Sequence, residues 1–258
     1  MSRSLVWSSI TFVVLFIITS IFYFVPSLAN PYKTIPYNVG TIVYQITLLV
    51  PVIFLFISYT GIDKQWKGHR AWLFILLALV FYFIGDTVWN VYDLFWQVEA
   101  PHPGIADAAY IIFYPLVILA MLRFIKVADV KLTPSETLLI GIIAALLAAE
   151  AIGRIIVPAF LDSSSPILAN IIDSFYVLSD VAILCLGLII IVQFWGGRVT
   201  TTYILFVIAM FIMSICDAIY TLQPEIGLRN PLDLGWTASY MLIALASVHE
   251  RSLHYKLK

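Results

Sequence analysis

Eight stretches of this chain are apolar for long enough to cross a hydrocarbon core of about 30 Å, and nothing else constrains its fold as strongly. They fall near 5–27, 39–60, 71–93, 105–126, 134–158, 167–195, 199–221 and 232–249. Inside lipid a backbone must satisfy its own hydrogen bonds, so spans of this length and composition are expected to be helices. The loops between them are short, which leaves no soluble domain between spans. The expected class is therefore all-α integral membrane protein, with 1–258 as one polytopic domain. Charged residues make up only 11% of the chain, about half the share of a soluble protein, and form no basic stripe for nucleic acid. The first span follows Arg3 and ends near Ser27-Leu28-Ala29, as a signal peptide would. Its apolar run exceeds the usual 7–15 residues or so, and it reads as a retained anchor.

Basic residues set the expected orientation. Arg3, Lys64, Lys67, Arg70, Arg123, Lys126, Lys131, Arg198, Arg251, Lys256 and Lys258 fall on one side; Lys33, Arg154 and Arg229 fall on the other. Eleven against three places both termini in the cytoplasm of a multi-pass protein of the cell membrane.

The chain also repeats itself. Gly85-Asp86-x-x-Trp89 returns as Cys216-Asp217-x-x-Tyr220, and Asp107, Tyr110 and Tyr114 return as Asp233, Trp236 and Tyr240. The offsets are 131 for Asp86 to Asp217, 132 for Tyr44 to Tyr176 and for Pro26 to Pro158, and 126 for Asp107 to Asp233 across a shorter loop. A constant offset near half the chain length marks an internal repeat. Repeat one covers 1–130 and repeat two 131–258, with four spans each, and an even number of spans makes the halves parallel.

The stretch Phe81 to Tyr114 carries the chemistry of the first half. Asp86, Trp89, Asn90 and Asp93 share one helical face, and after a loop bracketed by Pro101 and Pro103, Asp107, Tyr110 and Tyr114 share another. The second half contributes Asp173, Tyr176 and Asp180, then Asp217, Tyr220, Asp233, Trp236 and Tyr240. A carboxylate inside a span costs about 2.5 kcal/mol or more, so it faces protein or water and marks function. At about 1.5 Å per residue these acids gather toward the outer leaflet, while the cytoplasmic half reads as almost purely apolar. That pattern is a cavity open to the outside, with the fifteen residues from Asp86 to Tyr240 named above as its ligand-binding wall. The competing reading makes Asp107 a helix cap and the acids a hydrogen-bond network tying helices together. Glu150 and Arg154 stand one turn apart and are expected to form a structural ion pair, beside a ridge of Gly141, Ala145, Ala149 and Gly153.

Several chemistries have no residues to carry them. No lysine lies within a span, so a retinal Schiff base is excluded, and the four histidines sit at or beyond span ends. No nucleophile is paired with a base at recognisable spacing, so no catalytic residue is assigned. Cys185 and Cys216 lie inside apolar spans and read as small packing residues. No metal ligand set and no cofactor are assigned. The carboxylates could bind a cationic ligand beside Trp89, Trp236 and the tyrosines by cation–π contact. The alternatives are an enzyme or carrier working through a divalent cation on the same carboxylates, and a structural membrane subunit.

The phrase Gly85-Asp86-x-x-Trp89, then Pro103, Ala106-Asp107, Tyr110 and Tyr114-Pro115, with its later echo, resembles the multi-span N-terminal membrane sensory regions of prokaryotic signalling proteins. Those regions stand ahead of GGDEF, EAL, PAS or histidine-kinase domains, and no GGDEF, EAL or kinase signature occurs here. The resemblance implies a sensor in signal transduction that would pass a shift through the cytoplasmic ends of spans four and eight to a signalling domain or partner, with His249 to Lys258 either a basic tail or the stub on which such a domain would continue. The resemblance does not supply a ligand; besides the lipid bilayer, the outward acidic–aromatic pocket itself is expected to receive a small or lipid-like ligand from the outer side.

Overall fold

A computed structural model describes residues 3–24, 35–162, 165–197, 199–223 and 229–255. Lys33, Arg198, Lys256 and Lys258 of the charge count, and Pro26 of the repeat, lie outside the described residues.

Among the described residues the chain forms eight long helices. They are α1 (Arg3–Thr19, continued by a π-helical turn Ser20–Phe24), α2 (Ile35–Gly61), α3 (His69–Trp96), α4 (Ile105–Ala128), α5 (Pro134–Leu161), α6 (Ile167–Phe194), α7 (Thr200–Leu222) and α8 (Leu232–Tyr255). The first seven are long and apolar enough to span a membrane. Helix α8 is 24 residues long but carries Asp233, His249, Glu250, Arg251 and His254, and falls short in apolarity.

Local chemistry sets several helix ends. Thr133 caps α5: its hydroxyl accepts from Glu136 N at 3.3 Å, and the Glu136 carboxylate accepts from Thr133 N at 2.7 Å. Pro134 follows at the first helical position, where a missing N–H costs nothing. At the start of α4, Asp107 Oδ2 accepts from Gly104 N at 2.6 Å. Helix α3 ends at Gln97 and α4 at Asp129, both with left-handed backbone, φ 55° and 50°. Pro51 and Pro115 lie inside α2 and α4, which run on through them.

Six helices close a ring in the order α2, α3, α4, α6, α7, α8, each packed on the next and α8 packed back on α2. The hairpins α3–α4 and α7–α8 have the most extensive contacts. Trp72, Phe124 and Phe206 meet edge-on within the ring, with centroids 5.6 and 6.5 Å from the tryptophan. Lipid tails are as apolar as leucine, so such packing and interhelical hydrogen bonds, rather than hydrophobic transfer, hold these helices together. Helix α1 docks outside the ring on α8 and α2, and α5 rests on α6.

Candidate acidic–aromatic site

The geometry of the site starts from two aspartates on facing hairpins. Asp86 of α3 accepts from Tyr110 of α4 at 2.9 Å and from Tyr240 of α8 at 2.6 Å. Asp217 of α7 accepts from Trp236 Nε1 of α8 at 2.7 Å and from Tyr114 of α4 at 3.3 Å. Each carboxylate is thus held by one aromatic donor from its own hairpin and one tyrosine from the opposite hairpin. The two crossing tyrosines, Tyr114 and Tyr240, stand 126 residues apart, the same offset as Asp107 and Asp233. Helical spacing places these donors: Tyr110 and Tyr114, like Trp236 and Tyr240, lie one turn apart on a single face.

Asp180 of α6 joins this core, accepting from Ser214 at 2.8 Å and sharing the Tyr114 hydroxyl at 3.3 Å. One hydroxyl carries one proton, so Asp180 and Asp217 divide the single Tyr114 donor. Asp233 accepts from Tyr23 of α1 at 3.2 Å. Among the described residues, no lysine, arginine or histidine side chain pairs with Asp86, Asp180, Asp217 or Asp233. Beside them, Trp89, Tyr220 and Trp236 form a half-buried aromatic corner across α3, α7 and α8. Their centroids are 6.5 and 5.9 Å apart, and both contacts are edge-to-face. Tyr176 stacks on Tyr114 at 5.5 Å.

The remaining sequence candidates go elsewhere. Asp107 and Asp173 are bridged by His102, whose Nδ1 lies 3.0 Å from Asp107 Oδ1 and whose Nε2 lies 2.9 Å from Asp173 Oδ1. The hydrogen bonds to Asp107, then to Asp173, push the imidazole pKa up to about 10, so both nitrogens carry protons. Tyr176 also donates to Asp107, at 2.9 Å. Asp107 therefore closes its helix end and joins the halves as well. Asp93, expected on the pocket wall, is sequestered in a buried cluster with Arg229 at 3.4 Å, where Thr41 at 2.8 Å and Tyr37 also donate to it. The Arg229 guanidinium donates to the carbonyls of Tyr23 and Tyr37 and to Thr41 Oγ1, and sits 3.2 Å over the Tyr37 ring. Asn90 donates to Gln45 at 2.5 Å in a polar link between α3 and α2, outside the carboxylate core. Glu150 and Arg154 do pair, at 2.5 Å, but both are exposed.

His102 and Arg229 each precede the next helix, α4 or α8, by three residues. Each reaches the second helix of the opposite half: His102 meets Asp173 of α6, and Arg229 meets Thr41 of α2. Thr41 and Asp173 are 132 apart, the offset of Tyr44 and Tyr176. Sequence reasoning passed over both cations. The signal available was their isolation: Arg229 is one of three basic residues on the sparsely charged side, and His102 lies between the two prolines.

The opposite end of the ring is less apolar than the sequence implies. Glu250 is 1% exposed and lies 3.2 Å from His254, and Thr202 lies 2.8 Å from His249. Among the described residues no three His, Cys, Asp or Glu side chains converge on a metal position. Comparisons with family models, with curated proteins and with solved structures find no match to this chain.

Proposed function

We propose that this protein is a membrane-embedded sensory, ligand-binding module whose acidic–aromatic site opens to the outside of the cell. Two parallel four-span repeats meet at the site, and both termini are cytoplasmic. The ligand is a small or lipid-like cation, and its binding shifts α4 against α8. That shift reaches a cytoplasmic signalling domain or partner through the basic ends of the two helices, as the resemblance to prokaryotic sensory regions implies.

One observation carries this reading. Asp86, Asp180, Asp217 and Asp233 are met only by hydroxyl, indole and backbone donors, although the two nearby cations, His102 and Arg229, are each committed to other carboxylates. Four carboxylates without a cation, beside Trp89, Tyr220 and Trp236, favour a cationic guest by charge and by ring quadrupole. Tyr114 and Tyr240 tie the two halves through these same carboxylates, so a guest that competes for them changes how the halves are joined.

The test is thermal unfolding in lipid nanodiscs against choline, tetraethylammonium and a long-chain primary amine. A ligand-dependent rise in Tm that Asp86→Asn and Asp217→Asn each flatten supports the reading. No rise with any of the three, in a protein that unfolds cooperatively, refutes it.

A further inference from the structure

The basic end of the ring holds a cavity that the acidic site does not use. It measures about 580 Å³ and lies where α2 and α8 finish, between Gly61, Asp63 and Lys64 on one side and Arg251 and His254 on the other. That volume falls within the range of about 300–1,000 Å³ that small-ligand sites occupy. Arg251 and His254 share a face of α8 because they stand three residues apart. Lys64 is brought round by the turn after α2, in which Asp63 Oδ1 accepts from Gln65 N at 2.9 Å and Asp63 O accepts from Trp66 N at 3.2 Å.

Glycine at position 61 admits the arginine. The Arg251 side chain lies across it, and a Cβ there would run into that side chain. His254 is fixed from two directions: Nε2 is 3.2 Å from Glu250 Oε1, and the ring centroid is 5.0 Å from that of Trp66. Glu250 is buried and is not part of the lining, so Asp63 is the one acid that faces the cavity. Against it stand Lys64 and Arg251. Two cations less one carboxylate leave one positive charge in excess, with His254 counted as neutral.

We propose that this cavity binds the phosphodiester of an anionic headgroup, with Lys64 and Arg251 as its charge partners and Gly61 as the opening that lets Arg251 reach it. The excess of one positive charge matches the single negative charge of a phosphodiester. Guanidinium and ammonium are the side chains that pair with phosphate oxygens, the first through two parallel N–H donors. Depth points the same way. Helix α2 is 27 residues long, about 40 Å, which is the thickness of a bilayer with its headgroups. Its last residue, Gly61, therefore stands at the level of the lipid phosphates, and Trp66 beside the cavity is the kind of residue that settles there. Basic pockets at helix ends on such a boundary receive phosphate headgroups. The cavity is independent of the acidic site at the other end of the ring.

The experiment takes the full chain in nanodiscs of phosphatidylcholine, whose choline cancels its phosphate, with phosphatidylglycerol as the minor lipid. Native mass spectrometry of the released protein counts the phosphatidylglycerol retained, and its titration gives an affinity. One molecule per chain is expected to be held preferentially. Lys64→Gln and Arg251→Gln should each weaken it about fivefold, the scale of one basic residue against a charged headgroup. Gly61→Ala should weaken it by a similar factor with no change of charge, because the added methyl displaces Arg251. Lys131→Gln, at the same end but outside the cavity, should leave it unchanged. Soluble glycerophosphoglycerol separates the sources: displacement of the lipid with the same dependence on Lys64 and Arg251 supports the site and assigns it to a free phosphodiester, and no displacement assigns it to the lipid. No preferential retention overturns the proposal. So does an equal loss in Lys131→Gln and Lys64→Gln, which would make the attraction a diffuse one. If Gly61→Ala fails to fold, Arg251→Gln against Lys131→Gln decides alone.

Discussion

At the scale of single residues, the site is a matter of donors counted against carboxylates. Tyr240 and Tyr114 each supply a proton that no neighbouring side chain replaces, so removing a hydroxyl leaves a half-buried carboxylate short of a partner. Tyr240→Phe is expected to lower stability by about 1–3 kcal/mol, read from unfolding in detergent. Asp86→Asn should cost less than Asp86→Leu, because the amide oxygen still accepts from Tyr110 and Tyr240. His102 gives a prediction in pH. Its folded pKa stands near 10 against an ordinary 6.5, because two carboxylates favour the charged ring. A raised folded pKa means the contribution to stability is whole below about 6.5 and is lost as pH rises through about 10. The Tm difference between wild type and His102→Gln should therefore be largest below the lower value and vanish above the upper one. A difference independent of pH would show that His102 is not the charged bridge between Asp107 and Asp173.

At the scale of elements, the two tight hairpins position everything else. Gly85 lies where α3 passes the Tyr110 ring of α4, and a Cβ there would run into that ring. Gly85→Ala should push Tyr110 off Asp86 at a cost of about 1–3 kcal/mol, the usual price of overpacking. Combining it with Tyr110→Phe should cost less than the sum of the two single losses, since both remove the same hydrogen bond. Unfolding of the two single variants and the double variant completes that cycle. Additive losses would place Tyr110 outside the Asp86 site. Much of this was legible in the chain: the face of Asp107, Tyr110 and Tyr114, and that of Asp86, Trp89 and Asn90, follow from offsets of three and four. Asp93 sits on the same face as Asp86, yet packing decided its fate. At the end of its helix it lies under α2 and the loop before α8, where Arg229 claims it.

At the scale of the molecule, the six-helix ring has an acidic end, with His102, Asp107, Asp173, Arg229 and Asp233, and a basic end, with Lys64, Lys67, Arg70, Arg123 and Lys126. The reading of an outward site requires the acidic end to face outside. Glu99 and Lys67 are both exposed in loops at opposite ends. An impermeant thiol reagent applied to intact cells should label Glu99→Cys and leave Lys67→Cys unlabelled until the membrane is opened. The reverse pattern would turn the site toward the cytoplasm and end the proposed direction of signalling.

The helices and their limits were decided by the chain alone. A run of about 20 apolar residues in lipid has no alternative to a helix, because only a helix satisfies every backbone group within one segment. The first seven described helices accordingly stop within a few residues of where the apolar runs stop, while α8 runs on by six residues to Tyr255. The pairing of Asp86 with Tyr240 and of Asp217 with Tyr114 was decided only in three dimensions, across 154 and 103 residues of chain. So was the burial of Arg229 against Tyr23, Tyr37 and Thr41, 188 to 206 residues away. Periodicity tells which side chains share a face of one helix. It carries no information on which other helix that face will meet, and a buried carboxylate takes its partners from the helix that packing brings beside it.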